Sequence, residues 1–452
     1  MPGRRFIAAA SGAVALALVA SGCFSTETRS RKVLLSGGPT SGPTTDATVS
    51  GQPGATPTAG SNMSRGPGGV GATSGKSGAT DIGVTATTIK LGFVGDFTGV
   101  ARSFFVPALD AMNAYIADLN SRGGINGRRL QLAYYAASVQ SEDQTLAAVR
   151  RLVEQDKVFA FTELITMNLA ANAAQAYLNE KGVPCSHCRS ANQSDLALGP
   201  ANFVMQIDPP THGEILAAFA AKRLGKKSMA LGWCESGFDK RIAELTGAAF
   251  ERRGGKVVSR RSIGGCNQTS MESTVAAWYS NFPRPDVLMV IDPVGMAEGA
   301  AAAKRMGWDV QVMGRSGMWQ LVLDIGGSQT EGLIATTEGA APPGYQSAQM
   351  DRYRRVMKNY YPNRIEDQIT SEAWASMVLL EEAIRRAGRD LTRRGVIDAI
   401  NNMRDFDDGM GAKLTFSPGR HWGRSATGFY RIHDQAFEKA TPEDFLTADD
   451  LK

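Results

Sequence analysis

The chain has 452 residues, a formal net charge of +5, 43% hydrophobic residues and 21% charged residues. That length is enough for two domains with cores of their own, and the composition is that of a soluble globular protein. The basic residues are dispersed, which leaves no electrostatic footprint for nucleic acid. With only four histidines, a His-based metal centre or catalytic triad is disfavoured from the outset.

Arg4 and Arg5 precede an apolar run from Phe6 to Ala20, followed by Ser21, Gly22 and Cys23. A short apolar run behind positive charge reads as a secretory signal over 1–22, too short for a comfortable membrane span. Its end, LVASGC, resembles a bacterial lipobox. That resemblance implies that Cys23 is lipidated and becomes the mature N-terminus. The arginine pair leaves the export route, general secretory or twin-arginine, open. From 23 to 85 the chain is dominated by Gly, Ser, Thr and Pro, and Phe24 is the only aromatic in the tract. Such a segment cannot bury enough apolar surface to offset its ordering entropy and reads as a flexible tether. Within it, Gly75-Lys76-Ser77 suggests a phosphate-binding loop. The required glycine is replaced by Val70 and no strand precedes it, so that reading fails.

The folded part opens on a βαβ unit from Thr88 to Leu132. Ile89, Leu91 and Phe93 alternate as in a strand, and Leu109, Met112, Ile116 and Leu119 repeat at helical spacing. Pro107 is expected in the first helical turn. Gly123-Gly124 ends the helix, and Leu130, Leu132 and Tyr134 resume the alternation. Further strands are expected at Lys157–Phe161, Val183–Ser186 and Phe203–Ile207, with helices behind the Ser141/Gln144 capping box and over Asn168–Lys181. Pro209-Pro210 punctuates the chain, and Thr211 with Glu214 reads as a second capping box. A second series follows: strands Ser228–Trp233, Lys256–Ser262, Asp286–Ile291, Val310–Met313 and Leu333–Thr337, with helices Phe238–Arg253, Ser270–Asn281 and Val294–Met306 between them. Helices are then expected over Ala348–Tyr360, Thr370–Ala387 and Thr392–Met403, and tail strands over Lys413–Phe416 and Thr427–Ile432. This is α/β, in two series with parallel-sheet logic.

GFVGDFTG followed by GGINGRRLQL resembles the opening of type I periplasmic substrate-binding proteins of ABC transporters, in the branched-chain amino acid (Leu/Ile/Val) branch. The likeness continues through AAVRRLVEQDKV, LNEKGVP, LTGAAFERRGGKVV, PDVLMVI, AAAKRMGW and LLEEAIRRAG, from about Ile89 to Tyr430. It implies two Rossmann-like lobes joined by three hinge crossings: 86–207 plus 338–410, and 208–337 plus 411–440. It also implies a small ligand closed between the lobes, delivery to permease subunits, a monomer and no cofactor. A ligand-sensing lipoprotein that signals to a partner would use the same cleft.

The site residues carried over by position are Thr166 and Asn168 in one strand-end loop and Ser190 in a second, as hydrogen-bond donors to a ligand carboxylate. Phe104 and Phe238 fall where aromatic residues pack on the ligand. The acid that receives a ligand ammonium maps to Ser316, beside Arg315, so the acid is gone. Asp292, at a neighbouring strand end, stands as its replacement unless the ligand has no ammonium.

Cys185-Ser-His-Cys188 is a CxxC motif, but a loop of Ser, Asn and Gln follows it rather than a helix, which argues against a redox site; a single CxxC is weak support for zinc. Export favours disulfides, Cys185 with Cys188 and Cys234 with Cys266. No metal site is expected. No hydrolase elbow or zinc-protease motif is present, and His187, His212, His421 and His433 read as ordinary polar residues. The chain is not expected to be an enzyme.

Overall fold

The computed structural model describes residues 78–452, apart from 100, 139–140, 167–170, 191–197, 267–269, 282 and 316–318. Cys23 and residues 23–77 of the expected tether therefore lie outside the described residues, as do Asn168 and Ser316, whereas 78–85 are described and Val84 is buried in the first core.

The first half runs β1 (Thr88–Gly95), α1 (Arg102–Ser121), β2 (Arg129–Ala136), α2 (Glu142–Glu154), β3 (Ala160–Thr166), α3 (Asn172–Glu180) and β4 (Cys188–Ser190). These strands form an all-parallel sheet in the order β2-β1-β3-β4. After β5 (Val204–Ile207) come α4 (Pro209–Ala218), β6 (Ser228–Trp233), α5 (Gly237–Arg252), β7 (Lys256–Ser262), α6 (Glu272–Tyr279), β8 (Val287–Ile291), α7 (Pro293–Arg305), β9 (Gln311–Arg315), α8 (Trp319–Gly326) and β10 (Ile334–Thr336). Helices α9 (Ala348–Tyr360), α10 (Gln368–Ala387) and α11 (Arg393–Asn401) precede β11 (Trp422–Arg424), β12 (Phe429–His433) and β13 (Ala436–Lys439). The second sheet has the order β13-β12-β10-β9-β8-β6-β7, and only β12 runs against the other strands, pairing antiparallel with both β10 and β13.

The strands are apolar where helices cover both faces. Every residue of β8, VLMVI, is buried, and each such side chain contributes about 1.5–3 kcal/mol relative to exposure. Between β8 and β9, a Cβ on Gly314 would collide with the Val290 carbonyl. Only glycine lets the strand that ends in Arg315 lie so close.

The chain passes between the two cores at three places. In the first, Phe203 and Met205 pack with the first-sheet core, while Val204 and Ile207 pack with the second. Strand alternation thus sends successive side chains of β5 into different cores. In the others, Ala335 lies in the second half and Ala341 in the first, and Phe416 lies in the first and Trp422 in the second. β5 and β11 pair in parallel with each other, outside both main sheets.

Local chemistry corrects several expectations. The Thr211/Glu214 capping box does not form. Asp208 caps α4 instead, accepting from Thr211 N at 2.8 Å, and Pro209-Pro210 occupies the first two helical positions, where an N–H is not needed. Pro107 lies inside α1 rather than in its first turn, because the helix starts earlier, at Arg102. The CxxC segment forms a turn, with the strand at Cys188–Ser190 rather than Val183–Ser186. Lys413–Phe416 is not a strand, and Leu414 makes only an isolated bridge with Phe406. Helix α8 and strands β11 and β13 were not expected.

Candidate functional site

In a parallel sheet, the carboxyl ends of the strands and the helix N-termini beyond them form the binding edge. In the second half, Arg315 closes β9 at that edge. It is 6% exposed and lies between two acids. Its Nη1 donates to Asp239 Oδ1 at 2.7 Å, its Nη2 donates to Glu338 Oε2 at 3.3 Å, and its Nε is 3.0 Å from Glu338 Oε1. Burial alone would weaken this cation. The carboxylates of Glu338 and Asp239, with smaller contributions from Asp292 and Glu372, outweigh burial and raise its pKa.

Each acid is set by its own element. Asp239 sits in the first turn of α5, capped by Ser236. The Ser236 hydroxyl accepts from Asp239 N at 3.0 Å and donates to Asp239 Oδ2 at 2.6 Å, which leaves Oδ1 to Arg315. Glu338 follows β10 with φ +54°, a left-handed conformation uncommon for a side chain of this kind, and is 3% exposed. Asp292 caps α7, with its Oδ2 accepting from Gly295 N at 2.5 Å. Burial pushes its carboxyl up to about 7 against the pull of the Gly295 N–H, and the charge of Asp239 adds to the rise. His212 of α4 lies beneath, within 2.9 Å of Thr336 Oγ1. Burial, then the Arg315 charge, push it down to about 3, so it is neutral at ordinary pH.

The structure brings Phe238, Asp292 and Arg315 together. Phe238 does not offer an open face, because the Arg315 guanidinium lies 5.0 Å above its ring and Trp422 stacks on it at 5.9 Å. In the first half, Phe104 lies within α1, 6% exposed, in the core behind β1. Thr166 and Ser190 end β3 and β4 and are register partners, so the two donor positions share one edge.

Sequence reasoning missed Asp239, Glu338 and the buried role of His212. Asp239 had a local signal, since Ser236 and Asp239 carry capping-box spacing. Glu338 also had one: an acid followed by glycine after the TT of a strand end. The contact between them is non-local and left no pattern.

The sulfurs of Cys185 and Cys188 are bonded, with Cα atoms 5.8 Å apart, as are those of Cys234 and Cys266, with Cα atoms 4.8 Å apart. The second bridge links the segments after β6 and β7, and Cys234 Sγ lies 3.3 Å from Asp239 Oδ2. Asp292 approaches both sulfurs, but a disulfide offers no thiolate for a metal.

Elsewhere, a cavity of about 510 Å³ lies among Tyr115, Tyr345, Arg352, Glu381 and Asp407. Its polar groups face one another, with Tyr115 bonded to Glu381 and Arg352 paired with Asp118. It lies away from the strand ends. Among the described residues, no helix is long and apolar enough to cross a membrane.

A family model for periplasmic binding proteins matches residues 88–436. The chain belongs to that family. Members are extracytoplasmic solute-binding proteins, not enzymes, and the fold is the type I periplasmic binding protein fold. No curated protein sequence matches this chain.

Several solved structures share the fold. A branched-chain amino acid ABC transporter protein from Thermus thermophilus with bound valine matches at 17% identity and TM-score 0.68, over 83% of this chain and 98% of that one. A solute-binding protein from R. palustris in complex with 4-hydroxybenzoate matches at 17% and 0.67, over 79% and 97%. A fatty acid ABC transporter substrate-binding protein from Thermomonospora curvata matches at 20% and 0.68, over 82% and 95%. At such identities the likeness carries the fold and leaves the ligand open.

Proposed function

We propose that this chain is the membrane-tethered, extracytoplasmic solute-binding component of an ABC importer. It takes a small polar ligand, an amino acid or a related amide or carboxylate, between its two halves and delivers it to permease subunits. The observation that carries this reading is the arrangement at the strand ends. A parallel sheet and a mostly parallel one are linked by three passages of chain, and the polar groups of the second end in a buried cluster around Arg315. Three linked passages permit hinge closure, and a ligand that touches both halves stabilises the closed state. The lobes are 86–207 plus 338–410, and 208–337 plus 411–440. The ligand set includes Thr166, Asn168, Ser190, Arg315 and Ser316, and Cys23 carries the lipid.

A thermal-shift screen of amino acids, amides, carboxylates and aromatic acids tests the binding role. A ligand at about 100 times its dissociation constant stabilises the protein by about 2.7 kcal/mol. The bound compound is expected to be recovered chemically unchanged, and turnover would overturn the reading. Cys23→Ser is expected to move the protein from the membrane fraction to the soluble fraction.

A further inference from the structure

Arg315 is held by two carboxylates of unequal quality. On one side Nη1 donates to Asp239 Oδ1 at 2.7 Å, an ordinary length for a charge-assisted hydrogen bond. On the other, Nη2 reaches Glu338 Oε2 only at 3.3 Å. Nε lies 3.0 Å from Glu338 Oε1 but is not aligned with it, so this buried N–H has no hydrogen-bond acceptor among the described residues. Nε and Nη2 form one edge of the guanidinium, and a well-placed carboxylate takes such an edge by two parallel bonds. Glu338 fills the edge without making both.

Glu338 is also held against its backbone preference. Its φ of +54° is left-handed, which costs a residue with a long side chain. It stands where the second passage between the cores leaves β10, between Ala335 in the second half and Ala341 in the first. Gly339 follows with φ +97°, and a Cβ there would collide with the Arg424 side chain. The start of the passage is thus fixed by Arg315 at one residue and by Arg424 at the next.

A free carboxylate is not tied to this backbone and can align with Nε and Nη2 together. The exchange replaces one carboxylate by another, so the charge beside Arg315 does not change. Asp239, bonded to Ser236, keeps the opposite side of the guanidinium in place.

We propose that Glu338 is a resident stand-in for a ligand carboxylate on Arg315, and that a carboxylate-bearing solute displaces it and so releases the second passage for closure of the halves. This rests on the solute-binding reading above. It moves the ligand carboxylate from the strand ends of Thr166 and Ser190 to the other half of the molecule.

Calorimetric titration of the purified protein with acid–amide pairs tests it: benzoate against benzamide, 3-methylbutanoate against 3-methylbutanamide, and leucine against leucinamide. A carboxylate found in the wider screen is paired with its own amide in the same way. The expected result is that a carboxylate binds and its amide binds about tenfold more weakly or worse. Glu338→Gln, nearly isosteric, removes the competing charge and is expected to tighten carboxylate binding about tenfold, with amide affinity changed by less than about twofold. Glu338→Gly accepts the left-handed backbone and is expected to tighten carboxylate binding likewise, which provides a second route if Glu338→Gln fails to fold. Small-angle scattering should show compaction of the wild type at saturating carboxylate, and binding without compaction overturns the link to the passage. Equal affinity for acid and amide, binding confined to compounds without a carboxylate, or carboxylate affinity that rises in neither Glu338 variant overturns the exchange alone. Binding of none of the probes, nor of any compound in the wider screen, overturns the solute-binding reading and the exchange with it.

Discussion

Two of the buried arginines, Arg424 and Arg315, keep different company. Arg424 pairs with one acid, Asp408, at 2.6 Å, and the two side chains are 3% and 0% exposed. The remaining Asp408 oxygen accepts from Met410 N at 2.9 Å. This pair joins residues before and after one passage between the cores, and its charges cancel. Arg315 meets two acids directly and feels two more. Its surroundings include a left-handed Glu338, a carboxyl near neutrality at Asp292 and a neutral His212. A balanced pair suits a fixed joint. The cluster at the strand ends instead holds a carboxyl, Asp292, that can take up a proton near neutral pH.

The largest expected effect tests the fixed joint. Arg424→Met strands a fully buried carboxylate, and breaking a buried pair in this way costs about 3–5 kcal/mol. Urea denaturation should show that loss, and the affinity of the folded fraction for any ligand found in the screen should stay within about twofold. A large affinity change with little loss of stability would remove the distinction between the two arginines. Arg315→Met should cost about 3 kcal/mol, the low end of that range, because Asp239 keeps its bond to Ser236. Ligand affinity should fall with it.

The sequence made the scaffold legible and the cluster only in pieces. Strand β7 and helix α9 begin and end at the expected residues because turn signals flank them and their periodicity is unbroken. Both cysteine pairs could be placed because each sits beside a strand end. The start of α4 was misjudged because a cap one turn earlier, Asp208 ahead of two prolines, outcompetes Thr211. Lys413–Phe416 alternates like a strand, but it finds no continuous partner, and pairing is a tertiary property. The site fared similarly. Arg315, Asp292 and Phe238 could be named from their strand ends. What occupies Arg315 and Phe238, namely Asp239, Glu338 and Trp422, comes from residues 23 to 184 positions away.

The smallest effect is the most diagnostic of the strand-end cluster. Asp292 is raised to about 7 by burial, above its value of 3.8 in an unfolded chain. Between those values the folded protein binds more protons than the unfolded one, so this group makes stability fall as the pH rises from about 4 to 7. Asp292→Asn keeps a side chain that caps helices equally well and cannot ionise. The variant should match the wild type near pH 4 and exceed it by about 1–3 kcal/mol at pH 8, with the gap opening between those values. His212 acts in the opposite direction. Its depressed pKa makes stability fall as the pH drops from 6.5 towards 3, and that limb should survive in the variant. Denaturation midpoints across pH 4–8 separate the two groups. A variant that tracks the wild type at every pH would mean that Asp292 ionises freely, and the cluster would then lack the buried acid that distinguishes it from the Arg424 pair.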